Sequence, residues 1–543
     1  GRQVVAREIV KRHAAERAAG KHTRQLFLTV TGGAGSGKSE LLKHLLREVR
    51  GVRAIAPTGR AAANIQGTTA HRLLRLPVPL LETMSDLPED EAEILREENL
   101  KDVRYLVIDE FSMVGQRLLG GIEKRLGQIL QDTSSPFGGL WGVILMGDPG
   151  QLKPVQDASL FDADGHQGES GESDEEDGRP HPLKRPPNWF KHRPLSLKGQ
   201  TAFRHFSSSK TGRVIVLTRN HRLLDDSLNL ECAHHLRDLR EGRANRANWK
   251  FFMQDRRKET VLRQASQATK DKVEAATNIV PTHDLADLKN QDRLRRLNAG
   301  TCRILANGDL SAPPGKSKFR DERYQGLLAE LNLAVGAKVM LRYNLSVARG
   351  LVNGSFGTVV GILYDEAQRP ARIRNTEFYR VPDAVLVKFE GYTGPSCLKT
   401  PGVVPILPLK RYCRKDDAGD EAFREQVPLN LAWAISAHKA QGLTIETEVA
   451  VDLGKRELDA GVTFVQLSRV RDVRQLYIDC EHPFSYDLDR WLEIGRRNAK
   501  TFANRNAYLA SLQSAHAKTM RWLQRTHPTG IALAAEAAKD PTN

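Results

Sequence analysis

Several things are scarce in this chain of 543 residues, and each absence narrows its class. No apolar run approaches the ~18 residues that a membrane span needs. The opening residues, GRQVVAREIVKRH, have no apolar core of the secretory kind. Cys232, Cys302, Cys397, Cys413 and Cys480 lie far apart, without metal-ligand spacing. A zinc ribbon and a disulfide framework are thereby excluded, and a reduced intracellular protein fits. An initiator Met is also missing, which reads as a fragment of a longer polypeptide. Negative charge is short as well: 82 Lys and Arg face 66 Asp and Glu, a net charge of +16. Residues 157–177 alone hold nine of those acidic groups and no Lys or Arg, so the remainder is more basic still. Such an excess points to a polyanionic partner, most simply nucleic acid.

What is present centres on LFLTVTGGAGSGKSELLK, Leu26 to Lys43. An apolar run meets a glycine-rich turn that opens into a helical pattern, and Gly32–Ser39 matches the phosphate-binding loop G-x-x-x-x-G-K-[ST]. Gly32, Gly33, Gly35 and Gly37, with Ala34 and Ser36 between them, let backbone N–H groups converge on phosphate oxygens. The following helix adds the positive end of its dipole. Lys38 can reach the β- and γ-phosphates, and the Ser39 hydroxyl can ligate Mg²⁺. A nucleoside triphosphate is the expected ligand.

The length allows two to four domains. Residues 2–24 read as a basic helix with Gln3 near its start, where a surface role and an adenine contact are both open. Strands are expected at Leu26–Val30, Val52–Ala56, Tyr105–Ile108, Val143–Met146 and Val214–Leu217, alternating with helices as one doubly wound α/β domain over 1–230. Residues 67–100 form an excursion, proline-punctuated and acidic from 77 onward. The stretch 157–212 is an insert, with 162–182 read as a disordered loop. Strand ends carry the candidates, as they do in parallel sheets. Thr58, Gly59, Thr69 and His71 suit phosphate and sugar contacts, although a capped helix and turn explains them equally well. Asp109 and Glu110 end an apolar strand as a Walker B pair, for Mg²⁺ and for the attacking water respectively. Gln151 stands where a γ-phosphate sensor would. A second α/β unit spans 231–350 and 427–500, with a helix expected through Trp433 and His438 up to Gly442. Between them, 351–426 turns β-rich, which suggests a small inserted barrel, and 501–543 is a helical tail.

This ordered set resembles the Pif-type (Pif-one-like) DNA helicases of helicase superfamily one, class B. The resemblance runs from about Gln3 to Pro483, through GGAGSGKS, APTGRAAANIQGTTAH, IDEFSMV, GDPGQLKPV, LTRNHR, RGLVNGSFGTVVG, AWAISAHKAQGLTIE and VQLSRVR. It also includes the family signature ending in Pro136-Phe137-Gly138-Gly139. The resemblance implies two RecA-like domains with ATP between them, an SH3-like barrel inserted in the second, and single-stranded DNA across the top. It further implies that Arg222 and Arg469 reach the γ-phosphate, that Gln3 and Gly442 join the nucleotide set, and that His438, Lys439 and Gln441 link DNA to ATP. Three departures stand out: Pro149-Gly150 where a bulky residue is usual, Lys153 for Pro, and Leu223 for Gln.

The function implied is an ATP-dependent DNA helicase moving 5′→3′ on single strands and acting at single-strand/duplex junctions. Replication, repair, recombination and telomere maintenance would be its settings, in the nucleus or mitochondrion if the chain is eukaryotic. No membrane is implicated. Three alternatives remain: a RecD-like or relaxase helicase domain, against which the PFGG signature argues; a helicase module of a transposon or virus; and a DNA-independent P-loop switch ATPase.

Overall fold

The computed structural model describes residues 1–33, 35–58, 61–62, 65, 67–78, 80–151, 153–154, 157–161, 193–207, 211–263, 265–308, 324, 326–346, 349–365, 371–373, 376–378, 380–412 and 423–526. The loop expected over 162–182, the end of the tail, and residues Ala34, Gly59 and Cys413 lie outside these. The chain divides into two compact units. Unit 1 comprises Gly1–Arg256, Lys455–Arg474 and His482–Asn543; unit 2 comprises Arg257–Gly454 and Gln475–Glu481. Among the described residues no helix is long and apolar enough to cross a membrane.

Unit 1 opens with helix α1 (Arg2–Ala18), followed by β1 (Leu26–Gly32), α2 (Lys38–Glu48), β2 (Val52–Ala56), the two-residue β3 (Thr68–Thr69) and β4 (Tyr105–Ile108). Next come α3 (Gln116–Ile129), β5 (Gly142–Gly147), α4 (Pro194–Ser207), β6 (Gly212–Leu217) and α5 (Ser227–Arg240). The strands pair in parallel in the order β3-β2-β4-β5-β1-β6, so Thr68–Thr69, expected in the excursion, joins the sheet edge instead. Helices cover both faces, as a parallel sheet requires. Leu28 and Val30 of β1 face Val10 of α1 and Leu42 of α2. Phe27 faces the other way, into a core with Ile122 and Leu126 of α3 and Phe206 of α4. Each such fully buried side chain contributes about 1.5–3 kcal/mol.

The α3–α4 crossing is very close. A Cβ on Gly120 would sit 1.9 Å from the Leu195 carbonyl oxygen, and one on Gly199 would sit 1.8 Å from that of Gln116. The PFGG signature has a packing reason too. Phe137, Gly138 and Gly139 all have left-handed φ (53°, 66° and 70°), and this turn drives the Phe137 ring under the sheet against Phe27 and Phe206.

Unit 2 holds two larger sheets. Strand β7 (Thr277–Val280) is followed by α6 (His283–Arg296), β8 (Lys338–Leu341), β9 (Phe356–Leu363), β10 (Ala384–Phe389), β11 (Val403–Ile406), β12 (Leu429–Leu431), β13 (Ala434–Ser436), β14 (Val449–Val451) and β15 (Leu476–Ile478). One sheet is parallel, in the order β13-β7-β14-β15. The other is antiparallel, β11-β10-β9-β8-β12, and among the described residues its two outer strands do not pair with each other. An SH3-like barrel is therefore not shown over 351–426. The helix expected through Trp433 is a correction: 429–436 supplies two strands, and helix is confined to Ala437–Ala440. Ala434-Ile435-Ser436 is a buried parallel strand, whose apolar run carries no period to tell it from a helix.

The chain then returns to unit 1, whose last described helices are α7 (Leu488–Thr501) and α8 (Ala503–Thr526). The segment 501–526, expected to be a tail, instead packs as α8 along β6 at the sheet edge. Val214 N–H donates to Thr519 Oγ1 at 3.1 Å, and the Val214 carbonyl lies 3.2 Å from His516 Nδ1. Arg2 Nη1 donates to the Val216 carbonyl at 2.8 Å. Side chains thus satisfy edge groups that would otherwise invite another strand.

Candidate active site

The phosphate-loop residues stand between the buried end of β1 and the first turn of α2. Gly37 (φ 83°) and Gly35 (φ 74°) need left-handed backbone, and each also makes room for a neighbour. A Cβ on Gly35 would lie 2.4 Å from Arg222 Cβ and 2.5 Å from Asn220 Oδ1; one on Gly37 would lie 2.7 Å from Gln3 Nε2. Gln3 donates to the Ser36 carbonyl at 3.1 Å and lies 3.3 Å from His221 Nε2, while the His221 amide donates to the Gly35 carbonyl at 2.6 Å. Lys38 Nζ donates to the Gly32 and Gly33 carbonyls at 2.8 and 3.1 Å. Ser39 is exposed on the first turn of α2.

Asp109 and Glu110 follow β4 directly. The Asp109 amide is tied to the Ile55 carbonyl at 2.9 Å, and Glu110 is held at φ 49°, ψ 44°. A left-handed conformation in a non-glycine residue costs about 1–2 kcal/mol, a strain that clusters at functional positions. Burial raises both carboxyls. Asp109 is pushed up to about 7 by burial and by Glu110, with Lys38 pulling the other way. Glu110 is raised by burial, with Asp148 adding to the shift and Lys38, Arg469 and Arg222 opposing it. Lys38, Arg222 and Arg469 are thus close enough to act electrostatically on one buried carboxylate. Glu110 Oε2, Ser36 Oγ and Asp148 Oδ2 are buried without a hydrogen-bond partner among the described residues.

Arg222 Nη1 donates to the Ser468 carbonyl at 2.9 Å, and Arg469, 1% exposed, donates to Ser468 Oγ. Both arginines belong to segments of unit 1, as does the loop. A cavity of about 570 Å³ opens beside the loop, lined by Gly32, Gly33, Ser36, Asn220, Arg222 and Ser468 among others. That volume suits a nucleotide-sized ligand.

The comparisons with known proteins agree on one lineage. The family model described as PIF1-like helicase matches residues 5–162, and the model described as DNA helicase Pif1, 2B domain, matches 328–362. The "ATP-dependent DNA helicase PIF1" of Homo sapiens is 28% identical over 457 residues, 82% of this chain and 57% of that protein. The "ATP-dependent DNA helicase PIF6" of Trypanosoma brucei is 28% identical over 469 residues, 85% of this chain and 52% of that protein. Residues 5–162 and 328–362 are thus similar to PIF1-like helicases. The chain spans little more than half the length of these curated relatives. Among solved structures, the Pif1 helicase from Candida albicans aligns at TM-score 0.59 and 22% identity, covering 90% of this chain and 98% of that one. Bacteroides Pif1 bound to ssDNA aligns at 0.54 and 20%, covering 91% and 98%. At those identities the likeness is one of fold.

Of the candidate residues, unit 1 holds Gln3, Gly32, Gly33, Gly35, Ser36, Gly37, Lys38, Ser39, Asp109, Glu110, Gln151, Arg222 and Arg469. The DNA candidates are divided. In unit 1, Thr58 Oγ1 accepts from the Ala61 amide at 3.3 Å and Thr69 Oγ1 from the Arg72 amide at 3.2 Å, so both threonines serve as helix caps. His71 is half-buried, and burial lowers its imidazole below the ordinary 6.5. In unit 2, His438 and Lys439 lie on the short helix after β13, with Gly442 at φ 77° just beyond. Asn220 is a positioning residue that the motif reading missed: its Oδ1 accepts from the Arg222 and Leu223 amides at 2.8 and 3.3 Å. Its place two residues before Arg222 in LTRNHR was the available signal, since Asn caps its own turn.

Proposed function

We propose that this chain is an ATP-dependent DNA helicase that moves 5′→3′ on single-stranded DNA and opens duplex at the junction. The observation that carries the reading is the convergence on Glu110. A buried, raised carboxylate at a strand end feels Lys38 of the phosphate loop and two arginines from separate segments. That is the charge arrangement phosphoryl transfer to water requires: a base for water, and fixed cations for the charge that develops. The curated relatives are named ATP-dependent DNA helicases, and one solved neighbour carries ssDNA. The basic balance of the chain agrees with them.

Lys38 exchanges two backbone carbonyls for phosphate oxygens when ATP binds. Glu110 orients the attacking water and takes its proton, while Arg222 and Arg469 stabilise the equatorial oxygens. Among the described residues no cluster of three or more His, Cys, Asp or Glu is poised to hold a metal. Ser39 and Asp109 therefore fit Mg²⁺ only together with the nucleotide's own oxygens, which is how Mg²⁺ is commonly held. When bound, Mg²⁺ would neutralise charge between the β- and γ-phosphates.

The test is strand displacement on 5′-tailed and 3′-tailed duplexes side by side, with ATP hydrolysis measured with and without DNA. Unwinding of the 5′-tailed substrate alone, with hydrolysis stimulated by DNA and binding that weakens steeply with salt, is expected. Hydrolysis indifferent to DNA and no unwinding of either substrate would instead identify a P-loop switch.

A further inference from the structure

The turn after β5 is wrapped around a guanidinium that comes from outside every motif quoted above. Asp148 is fully buried at the strand end. Its Oδ1 accepts from Arg240 Nε at 2.8 Å, from Arg240 Nη2, and from the Gly150 amide at 2.9 Å. The Gln151 amide donates to the Asp148 carbonyl at 3.0 Å. Both Gly150 and Gln151 are thus pinned to the residue that Arg240 holds. Gly150 admits the guanidinium: a Cβ there would lie 2.4 Å from Arg240 Nε and 2.5 Å from its Cγ. The departure at Pro149-Gly150 therefore has a spatial cause.

Arg240 is fixed from behind as well. Arg505 of α8, 3% exposed, donates to the Arg240 carbonyl, and Asn506 Nδ2 donates to the Glu241 carbonyl at 2.9 Å. The Arg505 guanidinium lies 3.4 Å from the Phe502 ring centroid. A Cβ on Gly242 would lie 2.9 Å from the Ala499 amide, so α7 closes on the same turn. A planar fork suits the carboxylate where a lysine's point charge would leave the turn freer to shift.

We propose that Arg240 is a positioning residue for ATP hydrolysis, setting the place of Gln151 through Asp148, and that α8 keeps Arg240 in register through Arg505. This rests on the ATPase reading above. A pair that served only stability would leave Gln151 independent of it.

The test uses the whole chain with Arg240→Lys, Arg505→Gln and Gln151→Ala, each alone, and with the first two each combined with Gln151→Ala. Steady-state hydrolysis and thermal melting are measured for all. Arg240→Lys is expected to lower kcat about tenfold, with KM for ATP within about twofold, because a small misplacement at a reacting centre is felt mainly in turnover. Arg505→Gln should lower kcat less, in the same direction. Neither should lower it further once Gln151 is already Ala. Wild-type turnover in Arg240→Lys would overturn the proposal. So would a loss that simply multiplies with that of Gln151→Ala, or one that tracks a fall in melting temperature. A wild-type chain that does not hydrolyse ATP would refute the ATPase reading, and the proposal with it. Retained wild-type hydrolysis with an unaffected variant refutes this proposal alone.

Discussion

All seven residues of β1 in unit 1 are buried, whereas β9 in unit 2 alternates, with Val359 at 1% exposure beside Val360 at 38%. Helices on both faces leave a parallel sheet only its strand ends for chemistry. There, β1, β4 and β5 of unit 1 lead into Lys38, the Asp109–Glu110 pair and Gln151. Unit 2 follows the same rule in its parallel sheet, where β13 leads to His438 and Lys439, while none of the candidate residues lies on its antiparallel strands. Strand direction, more than membership of a unit, tells where to look for function.

The sharpest way to break this comparison is at the strand ends of unit 1. Lys38→Ala is expected to lower ATP hydrolysis by roughly 10³-fold or more while much DNA affinity remains. Glu110→Gln should bind ATP and leave it intact, which single-turnover hydrolysis would read. Wild-type rates in either variant would remove the loop or the carboxylate from the mechanism.

Glycines sharpen the contrast at the next magnitude. Gly120→Ala in unit 1 forces a methyl into the Leu195 backbone and should cost about 3 kcal/mol, as overpacking does. Gly391 in unit 2 has φ 70°, and a methyl there would meet nothing within 4 Å. Gly391→Ala should therefore cost only the backbone strain, about 1 kcal/mol. Denaturant unfolding of the two variants, read by local probes in each unit, measures both. Equal costs would show that contact is not what fixes Gly120.

Acid should weaken unit 1 through its histidines. Burial, foremost, holds His13, His71, His205 and His516 below the ordinary 6.5. The unfolded chain then binds protons near pH 6 that the folded unit does not, so stability from these groups is present above about 6.5 and lost as pH falls below it. Asp109, raised to about 7, acts with the opposite sign between its unfolded and folded values. A single histidine is therefore the cleaner probe. His13, bonded to Tyr105 at 2.7 Å, is expected to destabilise relative to His13→Gln more at pH 5.5 than at pH 7.5. A difference independent of pH would exclude His13 as a source of acid sensitivity.

Much of unit 1 was legible because its strands announce themselves twice, by an apolar run and by the motif that follows. Val52–Ala56 and Tyr105–Ile108 fall where the pattern placed them, and β1, β5 and β6 differ by one or two residues at their ends. The strand at Ala434–Ser436 was misread because a short buried parallel strand has no alternation. Arg240 was illegible for another reason. It pairs with Asp148 across 92 residues, and nothing local in LRDLREG distinguishes a buried arginine from a solvated one. The loop glycines were found for a sound reason that was incomplete: Gly35 and Gly37 also admit Arg222 and Gln3.

The smallest effect tests the edge of the sheet in unit 1. There β6 is covered by α8, whose Thr519 accepts from the Val214 amide. Thr519→Val keeps the shape of the side chain but leaves the Val214 amide without its acceptor. The cost should be about 1 kcal/mol, the usual net worth of one hydrogen bond, and up to ~3 if the amide stays dry. Amide exchange at Val214 is the direct readout, since Thr519 Oγ1 is the acceptor for that proton. Faster exchange there, with the interior strand β5 unchanged, would mean that α8 seals the edge by this bond. Unchanged exchange would mean that burial by Tyr508, Leu509 and Leu512 protects the edge without it. The same helix carries Arg505, so a loosened edge that also slowed turnover would tie the seal to the loop that holds Gln151.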